Sequence, residues 1–126
     1  MPKQVPSLQN APKPLAPYSV VTEANGFVFV SGQVALEVAG GPTPEDVVDQ
    51  TRVIMNNLGV ILGDLDLDYS DIVKTSIFLT DIADFGRVNE AYGSYFDSAP
   101  PARSTYQVAA LPRSEFKIEI EAIAAR

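Results

Sequence analysis

The chain has 126 residues, 46% hydrophobic and 20% charged, with a net charge of −7. That length suits one domain with a real core rather than two ordinary ones, and the composition is that of a soluble globular protein. It contains neither cysteine nor histidine, which excludes disulfides, thiolate nucleophiles, imidazole bases and nearly all zinc chemistry, while the acidic balance without a basic run opposes phosphate-backbone binding.

Residues 1–17 read as a Pro-rich arm on a single domain spanning residues 1–126. Pro2, Pro6, Pro12, Pro14 and Pro17 restrict the backbone and interrupt the apolar run that a secretory signal requires. No stretch approaches the roughly 20 apolar residues of a membrane span, so a cytoplasmic protein with no membrane partner is expected. Tyr18 to Glu23 predicts a strand, Ala24-Asn25-Gly26 a tight turn, and Phe27 to Gln33 a second strand, because Asn-Gly between apolar runs is a hairpin signal. That second strand turns from apolar to Ser31-Gly32-Gln33, where glycine lets another group approach the backbone. A third short strand is expected over Val34 to Val38, ended by Gly40-Gly41-Pro42.

Thr43-Pro44-Glu45-Asp46 predicts a helix start with Thr43 as N-cap and Pro44 in the first turn. Val47, Thr51, Ile54, Met55, Leu58, Ile61 and Leu62 recur at helical spacing up to Gly63-Asp64, the stripe of a helix that covers a sheet. Asp71 to Thr80 predicts a strand with Val73, Thr75, Ile77 and Leu79 on one face and Ile72, Lys74, Ser76 and Phe78 on the other. A second helix is expected from Asp81 to Asp84 onward, with Phe85, Val88, Tyr92 and Phe96 along a core face, until Pro100-Pro101 forces an extended chain. Arg103 to Ala110 and Phe116 to Ala124 then read as two antiparallel strands joined through Leu111-Pro112-Arg113-Ser114. Arg103, Thr105 and Gln107 share a face of the first, while Lys117, Glu119, Glu121 and Ile123 share the polar face of the second.

This order predicts an α/β (α+β) domain with a single mixed sheet and two helices packed on one face. The other face, expected to carry Ile72, Phe78, Thr105 and Ile123, is too apolar to be wholly solvated and implies a closed homo-oligomer with clefts between subunits.

Ala16-Pro17-Tyr18-Ser19, Ser31-Gly32-Gln33, Asp71-Ile72-Val73-Lys74-Thr75, Val88-Asn89-Glu90-Ala91-Tyr92, Pro101-Ala102-Arg103-Ser104 and Ile118-Glu119-Ile120-Glu121-Ala122-Ile123-Ala124 occur in this order and spacing. The chain thereby resembles the RidA family, also called YjgF. The resemblance implies a chorismate-mutase-like fold and a homotrimeric barrel with sites at the subunit interfaces. It also implies an enamine/imine deaminase that converts 2-aminoacrylate-derived and related 2-imino acids to 2-oxo acids and ammonia, with no metal or organic cofactor. Carried over by position, the carboxylate-binding arginine is Arg103 and the water-orienting glutamate is Glu119. Tyr18, Ser31, Gly32, Asn89 and Thr105 then line the substrate. Thr105 stands where relatives often have cysteine or a small aliphatic residue. The segment after Gln33 lacks a proline many relatives carry, and the Leu111 to Phe116 connection is about one residue longer.

The chemistry of the pair is independent of the resemblance. A guanidinium clamps a carboxylate through two parallel hydrogen bonds, and a neighbouring carboxylate can take a proton from water adding to an already electrophilic imine carbon. The structural alternatives are an Arg103 ion pair with Glu119 or Glu121, packing roles for Tyr18 and Asn89, and a strand-end kink at Ser31-Gly32. Three function classes follow: the deaminase, a non-catalytic 2-oxo acid binding or regulatory trimer, and, last, a nuclease, for which the charge and the missing histidine are unfavourable.

Overall fold

The computed structural model describes residues 2–126; Met1, the first residue of the expected arm, lies outside them. The hairpin forms as the Asn-Gly signal requires. Strands β1 (Val21–Ala24) and β2 (Phe27–Gln33) pair antiparallel with Ala24 opposite Phe27. Asn25 and Gly26 between them take φ of 53° and 81°, the left-handed pair that matches the twist of the flanking strands. Tyr18 to Val20, expected as strand, precede the ladder instead.

Helix α1 (Val47–Asp64) begins later than its Pro-containing start predicts. Its N-cap is Asp46, whose carboxylate accepts from the Val48 N–H at 3.1 Å. Thr43 is not the cap, because its hydroxyl donates to the Ala35 carbonyl at 3.1 Å. That bond also explains why Val34 to Val38 form no strand. With Asn57 Nδ2 donating to the Leu36 carbonyl at 2.7 Å, it folds this segment back onto α1 and buries Ala35 completely. A buried carbonyl needs a partner, and side chains supply it here where a ladder does not.

Strand β3 (Ile72–Leu79), helix α2 (Phe85–Gly93) and strand β4 (Ala102–Gln107) follow. Single turns of 3-10 helix at Tyr69–Asp71 and Ile82–Asp84 precede β3 and α2. Strand β5 (Ile118–Ala125) completes a five-stranded sheet in the order β1-β2-β5-β3-β4. The pairing of β3 with β4 is parallel and the other pairings are antiparallel. One expectation fails here: β4 and β5 do not pair. Strand β3 lies between them, because the α2 crossover returns the chain parallel to β3 and leaves β4 at the sheet edge.

Both helices cover one face. The α1 stripe of Val47, Thr51, Ile54, Met55, Leu58, Ile61 and Leu62 is buried as predicted, against Val28, Val30, Ile77, Leu79, Ile118 and Ile120. Truncating one of these, Leu58→Ala for instance, is worth about 2–5 kcal/mol. A bulge between Ile72 and Lys74 corrects the predicted facing of β3. Ile72 joins the core at 4% exposure and Val73 is turned outward at 44%, since one extra residue inverts the alternation locally. The bare face therefore presents Phe27, Phe29, Phe78, Tyr106 and Ile123, not Ile72 or Thr105. Phe27 and Phe29 are 46% and 43% exposed, and Phe78 stacks on Tyr106 with centroids 6.1 Å apart.

The arm is fastened at two points. Gln4 exchanges both backbone hydrogen bonds with Glu23, at 2.9 Å each. The Asp64 carboxylate at the end of α1 accepts from the Gln9 and Asn10 N–H groups at 3.0 and 2.9 Å. Those donors, the Asn10 backbone first, hold its pKa below the ordinary carboxylate value.

Candidate functional site

The residues singled out from the sequence fall into two groups on opposite faces of the sheet. The first is built on the end of β2. Val30 pairs with Ala122 and Gln33 with Ile120, so three steps along β2 match two along β5. The extra residue buries both Val30 and Gln33 and leaves Ser31 and Gly32 half-buried between them, a bulge that re-aims the strand toward a cavity. Ser31 is held by its hydroxyl, which donates to the Ser19 carbonyl at 2.7 Å, and by its N–H, which donates to the Val20 carbonyl at 2.9 Å.

Glu119 stands across from this bulge. It is fixed on β5 between the fully buried Ile118 and Ile120, which point to the helices and force Glu119 to the bare face, opposite Phe78. Its carboxylate lies directly over Gly32. A Cβ at that position would sit 2.7 Å from Glu119 Cδ, far inside van der Waals contact, so only glycine admits the carboxylate here. Burial, and then the nearby charge of Glu121, push the Glu119 carboxyl above its ordinary pKa. Tyr18 closes one side, its hydroxyl accepting from the Leu15 N–H at 3.2 Å. Together with Arg113 and Phe116 these residues line a cavity of about 490 Å³, ample for a small metabolite. A second cleft of about 450 Å³ between Tyr69, Tyr95 and Phe96 contains none of the expected site residues.

The second group is on the helix-covered side. Arg103 pairs with the buried Thr75 across β3 and β4, and its guanidinium lies 5.5 Å from the Phe85 ring centroid and 5.2 Å from that of Tyr92. Two aromatic faces hold a cation in place without neutralising it. Tyr92 is itself anchored, sharing a 2.7 Å hydrogen bond with Thr75 Oγ1, and burial raises its phenol pKa against the lowering effects of Thr75 and Arg103. Asn89 follows Phe85 by four residues and precedes Tyr92 by three, which puts it on the same face of α2, half-buried. Thr105 is the next residue of β4 on the Arg103 face, and its buried hydroxyl has no hydrogen-bond partner.

Arg103 and Glu119 are thus two strand spacings apart laterally and three residues apart along β3, roughly 14 Å between Cα atoms by standard sheet dimensions. They also face opposite ways. Among the described residues the ion pairs are Arg87 with Asp46 and Arg126 with Glu23, so the structural alternative of an Arg103 pair with Glu119 or Glu121 does not form within the chain. No three His, Cys, Asp or Glu side chains cluster among the described residues, and no helix there is long and apolar enough to cross a membrane.

The sequence matches the family described as Endoribonuclease L-PSP over residues 8–126. The chain is a RidA-family (L-PSP) protein. It is 51% identical over 97% of its length to Reactive Intermediate Deaminase A, chloroplastic, of Arabidopsis thaliana, spanning 65% of that longer protein. It is 43% identical to 2-iminobutanoate/2-iminopropanoate deaminase of Mus musculus, covering 97% of this chain and 90% of the relative. The crystal structure of Escherichia coli TdcF with bound serine superposes with a TM-score of 0.90 at 39% identity, covering 98% of each chain. The mixed sheet with two helices expected of a RidA-family chain is therefore its fold.

Several residues around this candidate site carry little signal in the sequence. Phe85, assigned to the core with the other helix aromatics, is 41% exposed beneath Arg103. Gln50, fully buried, donates from Nε2 to the Pro44 and Glu115 carbonyls and accepts from the Lys117 N–H, each at 2.8 Å. It clamps the connection that leads into Glu119. Its only trace in the sequence is a polar residue on an apolar stripe. Arg113 was read as part of a turn.

Proposed function

We propose that this chain is a deaminase of 2-imino acids of the 2-iminobutanoate and 2-iminopropanoate kind, acting without a metal or organic cofactor. The working unit is a homotrimeric barrel of single-domain subunits, each spanning residues 1–126, with three sites at its interfaces. The observation that carries this reading is the separation of the two groups. Arg103, Asn89 and Thr105 lie on one side of the sheet and Tyr18, Ser31, Gly32 and Glu119 on the other, so a second copy is needed to bring guanidinium and carboxylate to one substrate. The exposed Phe27, Phe29 and Tyr106 of the bare face supply the apolar surface for that association. The names of the plant and mouse relatives supply the reaction class.

In this mechanism the substrate carboxylate is held by Arg103 of one subunit, in two parallel hydrogen bonds that leave C2 facing the other subunit's Glu119. Water adds to C2 while Glu119 accepts its proton, and the C=N π electrons move to nitrogen. The imine enters protonated, and the resulting carbinolamine takes the water's proton back from Glu119 on nitrogen. The C–N bond breaks with its electron pair leaving on ammonia, and the hydroxyl gives its proton to Glu119 as it becomes the 2-oxo group. Glu119 suits the task because burial, and then Glu121, raise its basicity above that of an ordinary carboxylate. General-base assistance of this kind is worth about 10²–10⁴-fold.

Binding of a 2-oxo acid without turnover is the alternative that the same Arg103 clamp would serve. The endoribonuclease of the family description is disfavoured by the charge of −7 and the absence of histidine. A cytoplasmic location remains part of the reading, on composition alone. The decisive experiment generates imines in situ with an amino-acid oxidase and follows 2-oxo acid release. Acceleration by the wild type, lost in Arg103→Ala, is expected; a wild type that matches buffer while binding 2-oxobutanoate would replace the enzyme with the binding protein. Light scattering at micromolar concentration should give three chains, and a monomer would remove the shared site.

A further inference from the structure

The cavity over Glu119 contains a second charged group, Arg113, on the connection between β4 and β5. Its guanidinium lies 5.6 Å from the Phe116 ring centroid. Phe116 is only 1% exposed, and its backbone is fixed on both sides, since Gln50 binds the Glu115 carbonyl and the Lys117 N–H. The stacked arginine is therefore anchored to the core through the ring it covers. It belongs to neither ion pair found among the described residues. In particular it does not neutralise Glu119, which lines the same cavity.

The site thus offers more positive charge than a monocarboxylate uses. In the proposed trimer, Arg103 takes the carboxylate beside the imine carbon and Glu119 takes the water. That leaves Arg113, in neither ion pair found among the described residues, on the wall of the same cavity and free to meet the rest of the substrate. We infer that Arg113 is a specificity-determining residue that extends the substrate range of this site from the short neutral 2-imino acids to those carrying a second, side-chain carboxylate. A planar guanidinium held on an aromatic face meets such a group in the same two-bonded geometry that Arg103 offers the first. The cavity volume of about 490 Å³ leaves room for the longer acid.

This inference rests on the deaminase reading, and its test separates the two. Imines are generated in situ from glutamate and, in parallel, from 2-aminobutyrate, and kcat/KM for 2-oxo acid release is measured with wild type, Arg113→Ala and Arg113→Lys. The ratio of dicarboxylic to neutral kcat/KM is expected to fall roughly tenfold in Arg113→Ala, the worth of one charge-assisted hydrogen bond, with partial recovery in Arg113→Lys. Calorimetry with 2-oxoglutarate and 2-oxobutanoate supplies a readout independent of turnover, and the same Arg113-dependent preference is expected there. An unchanged ratio, or an equal loss on both imines, overturns the selectivity and leaves the deaminase intact. A wild type that hydrolyses no imine yet prefers 2-oxoglutarate through Arg113 overturns the deaminase and leaves the selectivity.

Discussion

Arg103 is supported from the helix-covered side of the sheet, over two aromatic rings, one of them hydrogen-bonded into the core. Glu119 is supported on the bare face by the absence of a side chain, its carboxylate lying where only Gly32 leaves room. The first group is thus held by what surrounds it and the second by a gap shaped for it. A cation stacked on rings keeps its charge whatever its neighbour does. A half-buried carboxylate beside another acid binds a proton more readily than an ordinary one. Within one chain the two stand on opposite faces and form no ion pair.

The largest effect is expected from recombining the halves. Arg103→Ala and Glu119→Gln should each lower kcat/KM by at least about 10²-fold. Mixed oligomers of the two inactive variants should regain activity, since roughly a quarter of their interfaces join an intact Arg103 to an intact Glu119 by random assembly. Mixtures as dead as their parents would place both residues in a single-chain site and break the comparison.

Filling the gap comes next. Gly32→Ala should abolish most activity by displacing the Glu119 carboxylate, the flexible side-chain end that the added Cβ meets, with little change in urea unfolding, whereas Gly93→Ala, where no atom crowds the added Cβ, should leave activity unaltered. Activity retained in Gly32→Ala would show that the Glu119 carboxylate can work from elsewhere.

The electrostatic difference predicts a pH response of smaller size. As the proposed general base Glu119 must be ionised, and its folded pKa is raised by burial and by Glu121. The acid limb of kcat/KM should therefore lie above the ordinary carboxylate value, and Glu121→Gln should move it to lower pH. Because the folded pKa exceeds the unfolded one, this carboxyl's contribution to stability is full below the ordinary value of 4.5 and is lost as pH rises through the folded pKa. Glu119→Gln should then melt slightly higher than wild type at pH 7, by calorimetry, while being inactive. A lower melting temperature would mean that the carboxylate is stabilised by a partner.

The smallest change concerns the Arg103 support. Tyr92→Phe leaves the Thr75 hydroxyl buried and unpaired, at about 1–3 kcal/mol, and should raise KM more than it lowers kcat, because in the proposed mechanism Arg103 binds and does not transfer protons. A pure kcat effect would give Tyr92 a part in the chemistry.

Local chemistry settled much of this protein from sequence alone. The Asn25-Gly26 hairpin, the buried stripe of α1 and the inward Ile118, Ile120, Ala122 and Ala124 of β5 all follow from turn preference and periodicity, which act over a few residues, while the candidate site residues came from the family resemblance. Tertiary structure decided the rest. Ile72 and Val73 exchanged faces at a bulge, because strand register is set by the neighbouring strand and not by the residues themselves. Thr43 gave up the helix cap to reach Ala35, a partner eight positions away. Strand β3 came to lie between β4 and β5, because the order of strands in a sheet depends on where a crossover helix packs, and its register, with Arg103 opposite Thr75 and Glu119 opposite Phe78, put the two on opposite faces. Arg113 became part of a cavity only when Gln50 folded its connection down beside Phe116. Each of these outcomes joins groups distant in the chain, and a sequence specifies such contacts only through the whole fold.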